Sequence, residues 1–127
     1  DEALVFATRC EALGIDWIDV SSGGVSRAQQ IRTGPGYQVP FAEAIKARVR
    51  PAVMAVGSIT EPAQAEQILA SGQADLIALA RAFLYNPRWV WQAARELGAT
   101  VSVPSPFWRS EPAEARGLFG QTRIGMR

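Results

Sequence analysis

Histidine is absent from these 127 residues, and cysteine occurs once, as Cys10. Without histidine the chain can hold neither a Ser-His-Asp nor a Cys-His catalytic arrangement of its own. One thiol and no imidazole leave no zinc site, so no metal is expected. A single cysteine also forbids an internal disulfide, which suits a reducing compartment, and a cytoplasmic location is the expectation. No apolar run approaches the length of a membrane span, and no signal peptide is recognisable, so no membrane partner is expected. Net charge is only +1. A near-neutral chain calls for no polyelectrolyte, and its arginines are not interleaved in a nucleic-acid motif. Acid–base chemistry is left to carboxylates, Lys46, tyrosines, a cofactor or residues outside this sequence.

What is present suits an ordinary globular chain: 48% hydrophobic and 20% charged residues, enough for a modest core. From Arg81 onward seven arginines stand against three glutamates. That bias serves phosphates, a subunit interface or simply a solvated surface. The sequence starts DEALVFATRC, already inside a helical pattern, so a longer parent protein is expected.

The central stretch is PAVMAVGSITEPAQAEQILASGQADLIALARAFLYNP, residues 51–87. Pro51 to Val56 is a short valine-rich apolar run, read as a buried parallel strand. Thr60 as N-cap and Pro62 then open a helix on which Ala65, Ile68 and Leu69 share a face, and Gly72 closes it. Ala74 to Leu79 is the next strand. The loops after both strands carry the interest. Gly57-Ser58 lets a ligand approach main-chain N–H groups, because glycine has no Cβ. Ala80-Arg81 adds a small residue and a permanent cation with a planar fork of donors. Together these loops would offer amides, a helix start and a guanidinium to one anion, as barrels do for phosphate after their last strands. On the residues alone, a plain turn glycine with a surface arginine is an equal reading.

Before this stretch, residues 3–13 read as an amphipathic helix with Phe6, Cys10 and Leu13 inward and Gly14 as its stop. Cys10 is read as a buried small hydrophobe rather than a reactive thiol. Ile15 to Val20 is a strand, followed by Ser21-Ser22-Gly23-Gly24. Asp19 and the serines lie where α/β folds bind ligands, although turn chemistry explains the serines and no base is available to them. The connection over residues 21–39 reads as a functional loop. Pro40 opens a helix that aims Phe41, Ile45 and Val49 at the core and leaves Lys46 solvated. After Arg81, Asn86-Pro87 starts a helix to Leu97, closed by Gly98, with Trp89 and Trp91 packing against the wall of the fold. Proline, glycine and scattered aromatics over residues 101–127 suggest an extended tail. The order is α, β, α, β, α, β, α, tail, and three parallel strands are too few to close a barrel.

GIDWIDVSSGG, PGYQVPFAEAIKARV, AVMAVGSITEPAQAEQILASGQADLIALARAFLYNPRW and AARELGA together resemble the C-terminal third of the Old Yellow Enzyme family. The resemblance covers nearly all of residues 1–103 and is nearest to the thermophilic-like or xenobiotic-reductase-like ene-reductases. It implies an α/β fold, strands 6–8 of a TIM (β/α)8 barrel, with residues 1–103 in the barrel and 104–127 an extended tail at a subunit interface. It implies FMN as cofactor, NAD(P)H as reductant and a small enone-type substrate whose activated C=C bond is reduced, in a homo-oligomeric full-length protein. Gly57, Ala80 and Arg81 would hold the FMN phosphate. Many members carry Gly-Arg where this chain has Ala80-Arg81. Trp108-Arg109 matches in type an aromatic–arginine pair that in some relatives enters the neighbouring subunit's site. The family's substrate-binding histidines, proton-donating tyrosine and flavin-tuning residues belong to earlier strands and map to nothing here. No catalytic residue is therefore assigned, and the chain alone is expected to be inactive. Two other functions stay open beside it. One is a barrel lyase or isomerase acting on a phosphorylated substrate; the other is a half-barrel assembly module without cofactor.

Overall fold

A computed structural model of the chain describes residues 2–120 and Thr122; Asp1, Gln121 and residues 123–127 of the expected tail lie outside it. The chain divides into two compact units, residues 1–80 and 81–127.

The first unit alternates helix and strand: α1 (Glu2–Ala12), β1 (Trp17–Val20), α2 (Val39–Lys46), β2 (Ala52–Ala55), α3 (Pro62–Ala70) and β3 (Leu76–Ile77). The strands form one parallel sheet in the order β1-β2-β3. Register sets Trp17 beside Ala52, Asp19 beside Met54 and Met54 beside Leu76, with Val20, Ala55 and Ile77 in the alternate row. The second row, with Val53, is the buried one: Val53 and Ala55 are fully enclosed and Val20 nearly so. Helix α2 packs on β2, α3 on β3 and α1 on α2, contributing Val39, Ala42, Ile45, Ala65, Ile68 and Ala7 to the core. The opposite row is open, with Trp17 59% and Leu76 41% exposed. Parallel sheets are normally covered on both faces; this one is covered on one.

Helix ends follow the sequence closely. At the end of α3, Gly72 takes φ 75°. Its N–H donates to Leu69 O at 3.0 Å, and Gln73 N–H donates to Ile68 O at 3.1 Å. This is the paired closure of a left-handed C-cap. The same pair of bonds ends α1 at Gly14 and Ile15. Helix starts are less literal. Glu61, not Thr60, is the N-cap of α3, with Pro62 at its first position. Helix α2 opens at Val39, one residue ahead of the expected Pro40, with Gln38 as its N-cap.

Several expected core residues lie outside. Phe6 is 68% and Leu13 84% exposed, Phe41 and Leu69 are exposed, and Val49 and Cys10 are half-buried. Helix α1 turns only Ala7 fully inward, so periodicity marked an apolar stripe without marking what covers it.

The second unit has α4 (Arg81–Tyr85), α5 (Trp89–Glu96) and two 3-10 turns, Ser105–Ser110 and Ala113–Ala115. The helix expected from Asn86-Pro87 to Leu97 starts later, at Trp89 with Arg88 as N-cap, because the Asn86 Oδ1 atom accepts from Arg88 N–H at 3.0 Å and holds a turn ahead of α5. The expected extended tail is folded over its described residues. Val103, Leu118 and Phe119 form a core with Ala94 of α5, flanked by Trp91, Val101 and Trp108. Trp91 meets Phe119 and Phe107 edge to face, at ring-centroid distances of 5.1 and 5.7 Å. The Arg88 guanidinium lies 4.9 Å over Trp91. Trp89 packs on Phe83. The Trp108 Nε1–H donates to Val103 O at 2.7 Å, and Glu111 accepts from Gly117 and Phe119 N–H. The prolines read as marks of extension instead set 3-10 turns, since their fixed φ suits a first turn as well as an extended link. Among the described residues no helix is long and apolar enough to cross a membrane.

One side chain ties the first unit across its layers. Asp75 accepts from Lys46 Nζ at 2.8 Å and from Val53 N–H at 2.9 Å, joining α2, β2 and the start of β3. Lys46 is thus an ion-pair partner, not a solvated charge. The hydrogen bond from Lys46, then that from Val53 N–H, holds the Asp75 carboxyl below its ordinary value. A carboxyl depressed on folding adds stability above its unfolded pKa, and that stability is lost as pH falls through the folded value. Asp75→Ala is expected to lower the melting temperature of the chain by several degrees near pH 7. The side chain is 39% exposed, so solvent screening keeps the loss to about 1 kcal/mol. Melts of both proteins from pH 7 to 2 check this: the difference should shrink below about pH 4, and a constant gap would remove the charge from the explanation.

Candidate functional site

The site builds up from the carboxyl end of the sheet. Because β1, β2 and β3 are parallel neighbours, the segments leaving them emerge at one edge: Ser21-Ser22 from β1, Val56 to Ile59 from β2, and Ala78 to Ala80 from β3. Gly57 and Ala80, both singled out in the sequence, therefore lie on adjacent strand ends of the first unit. Arg81 is joined to Ala80 by its peptide bond and opens the second unit as the first residue of α4. Its side chain is exposed and makes no ion pair among the described residues.

Gly57 is buried and takes φ 119°, a region that L side chains rarely enter. A Cβ there would stand 2.8 Å from Gln38 Nε2 and 2.9 Å from Tyr37 Cε1. The close approach that glycine permits is thus used by the chain's own Tyr37 and Gln38, which pack against its Cα. Gly57 O also accepts from Gly36 N–H at 3.0 Å. The next residue, Ser58, takes φ 51°, the one non-glycine positive φ among the described residues. That conformation costs roughly 1–2 kcal/mol for an L residue and persists only where its surroundings enforce it.

The donors at this edge are open. Among the described residues the N–H groups of Gly57, Ser58 and Ile59 have no hydrogen-bond partner, nor do those of Leu79 and Ala80. Of these residues Gly57 and Ile59 are buried, Ser58 and Leu79 half-buried and Ala80 exposed; an unpaired donor on a buried residue is uncommon in a folded chain. Within the first unit the arrangement can receive an anion: it offers several main-chain donors and a small residue at Ala80. It offers no proton-transfer pair, and Cys10 is on α1. Among the described residues no cluster of His, Cys, Asp or Glu could hold a metal ion.

Gln38 escaped the sequence reading. The residue is 3% exposed, and it is the only buried polar residue among those described. Its Oε1 accepts from both the N–H and the hydroxyl of Ser22, the latter at 2.8 Å, and its Nε2 donates to Val56 O at 3.3 Å. The amide bridges the loops after β1 and β2. Ser22 is thereby employed in turn structure, in line with the reading that it is no nucleophile, and Asp19 stands exposed on the open face. Trp108 is drawn into the core of the second unit, while Arg109 beside it is exposed.

Residues 3–99 match the NADH:flavin oxidoreductase / NADH oxidase family. An NADPH dehydrogenase of Geobacillus sp. (strain WCH70) is 52% identical over 104 residues, 82% of this chain and 30% of that protein. One of Halalkalibacterium halodurans is 54% identical over 97 residues, 76% of this chain and 28% of that protein. One of Geobacillus thermodenitrificans is 45% identical over 104 residues, 82% and 30% of the two chains. The chain thus spans about 30% of the length of the curated relatives it matches. With its parallel βα order, its strand-end loops and a match over most of its length, the chain belongs to the NADH:flavin oxidoreductase (Old Yellow Enzyme) family.

Proposed function

We propose that this chain supplies the phosphate-binding end of the FMN site in an NAD(P)H-dependent oxidoreductase that reduces activated C=C bonds. The observation that carries the proposal is the set of unpartnered main-chain donors at Gly57, Ser58 and Ile59, beside those of Leu79 and Ala80 at the same sheet edge. In this reading Gly57 and Ser58 N–H groups donate to phosphate oxygens. Ala80 leaves the backbone accessible, and the Arg81 fork neutralises the dianion. The fit is good, since donors without intrachain partners are what an anion requires.

The barrel placement, strands 6–8 of a (β/α)8 fold, is supported by the one-sided cover of the sheet. In a doubly wound fold helices shield both faces, whereas in a barrel the inner face is filled by the other strands' side chains. The open row of Trp17, Asp19, Met54 and Leu76 is the inner face in this reading. When bound, FMN would supply the hydride chemistry, passing reducing equivalents from the nicotinamide to the alkene. This chain's own part is to bind and orient the phosphate end. A small enone-type substrate and a homo-oligomeric full-length protein belong to the same proposal. With no histidine and no proton-transfer pair at the sheet edge, the isolated chain turns over nothing.

The isolated chain binds FMN more tightly than riboflavin, and Arg81→Ala weakens FMN binding roughly ten- to a hundredfold, the loss of a charge-assisted contact worth about 1.5–3 kcal/mol. Fluorescence titration reads both ligands; equal affinities for the two would rule the phosphate site out. The same chain shows no NADPH-dependent reduction of cyclohexenone, and measured turnover would show that its own residues suffice for redox chemistry. Ser58→Gly relieves the positive φ and raises stability by roughly 1 kcal/mol. Gly57→Ala lowers it by about 1–3 kcal/mol through contact with Gln38 and Tyr37. Chemical denaturation distinguishes these opposite signs at neighbouring residues.

A further inference from the structure

Gln38 is buried where neither its own helix nor the apolar core requires a polar group. Its main chain already serves α2, Gln38 O accepting from Phe41 N–H at 3.0 Å and Ala42 N–H at 3.3 Å. The side chain turns back to the sheet instead. Ser22 N–H can only donate, so the amide oxygen of Gln38 must face Ser22. This fixes the amide's flip and turns the Nε2 hydrogens to Val56 O. Ser22 therefore determines which end of Gln38 meets β2.

The Val56 carbonyl belongs to the same peptide unit as the Gly57 N–H. No peptide bond among the described residues is cis, so the carbonyl and the N–H of that unit point in opposite directions. Holding the carbonyl toward Gln38 directs the Gly57 N–H away from it. That N–H is one of the unpartnered donors of the strand-end edge. A hydrogen bond accepted by the carbonyl also polarises the unit and makes its N–H a better donor. Gln38 Nε2 stands 2.8 Å from the position a Gly57 Cβ would take, so only glycine leaves room for the amide beside the peptide it orients.

We infer that Gln38 is a positioning residue for anion binding: clamped by Ser22, it holds the Val56–Gly57 peptide so that the Gly57 N–H faces a phosphoryl group. The inference rests on the proposed phosphate site and adds the group that aims it. A residue that only held the fold would weaken every ligand alike. One that aims a phosphate donor changes phosphate-dependent affinity alone.

The test uses the 127-residue chain, with FMN and riboflavin, which differ by the phosphate, as probes. In the unaltered chain FMN should move the Gly57 amide proton downfield in the proton–nitrogen NMR spectrum, and riboflavin should not. Gln38→Met, similar in length but without hydrogen bonds, should lose about tenfold in FMN affinity, keep riboflavin within about twofold, and lose the Gly57 shift; tenfold corresponds to about 1.4 kcal/mol. If Gln38→Met does not fold, Ser22→Ala takes its place. It removes the hydroxyl's bond to Oε1 without touching the apolar core, and a roughly threefold loss for FMN alone is expected, within the range of one neutral hydrogen bond. A variant that retains both the FMN preference and the Gly57 shift would overturn the role of Gln38 while leaving the phosphate site standing. Equal losses for both flavins would reduce Gln38 to a structural part. An unaltered chain whose Gly57 amide ignores FMN would overturn the phosphate site, and this inference with it.

Discussion

The position of β2 between two parallel partners is the constraint on which the first unit depends. Val53 and Ala55 are fully enclosed, and every register in the sheet is counted from this strand. Parallel pairing forces each connection to cross the sheet through a helix, so successive strands must leave at one edge. Residues far apart in the chain, Ser22, Gly57 and Ala80, are brought to a common edge by pairing alone. No side chain needs to recruit them. Asp75 secures the same strand at its other end, joining Val53 N–H to Lys46 of α2. A buried central strand held at both ends makes a stiff base for open loops.

Stiffness at the base allows strain at the edge. Gly57 and Ser58 take successive positive φ values, and the second is unfavourable for serine. Gly57 has to be glycine because Tyr37 and Gln38 pack on it, which is a structural reason. The function proposed for this loop rests on different atoms, the N–H groups left without partners. Glycine at this position therefore answers two demands at once. It admits the packing that orients its own peptide, and it leaves that peptide's N–H free. The packing of Tyr37 and Gln38 answers to the plain turn-glycine reading, and the proposed phosphate role would use the same residue's N–H.

Legibility followed the range of the interaction. Helix stops at Gly14, Gly72 and Gly98, the proline start of α3 and the three apolar strand runs are local signals, and they appeared where the residues placed them, with strands trimmed to two to four residues. The positions of Gly57 and Ala80 at strand ends and of Arg81 at the start of α4 were legible because the apolar runs before them are local signals; their phosphate role is the proposal made above. Gln38 and Asp75 were not. Each acts through hydrogen bonds to residues 16 or more positions away, and a glutamine before a helix or an aspartate in an apolar run looks like any surface polar group. Phe6 and Leu13 failed for the opposite reason: periodicity gives an apolar stripe but not its partner. The segment from residue 101 misled because proline fixes φ at a value shared by extended chain and 3-10 turn, while Trp108 and Phe119 supplied a core that composition does not reveal.

The two sides of the sheet argue together for how the unit is used. Helices cover the row of Val20, Val53, Ala55 and Ile77, and leave Trp17, Asp19, Met54 and Leu76 open. A sheet that had evolved to stand by itself would shield both faces, since an apolar tryptophan at 59% exposure forgoes burial worth roughly 1–2 kcal/mol. An inner face that meets other strands resolves that deficit, and it places the carboxyl edge of β2 and β3 at the rim of a closed structure. Rim loops are then the natural place for a charged ligand: the buried strands fix the donors, and the open side admits the anion. On the proposed reading, the exposed face and the unpaired amides have one cause, a sheet whose inner face and rim are completed by other strands and by a bound anion.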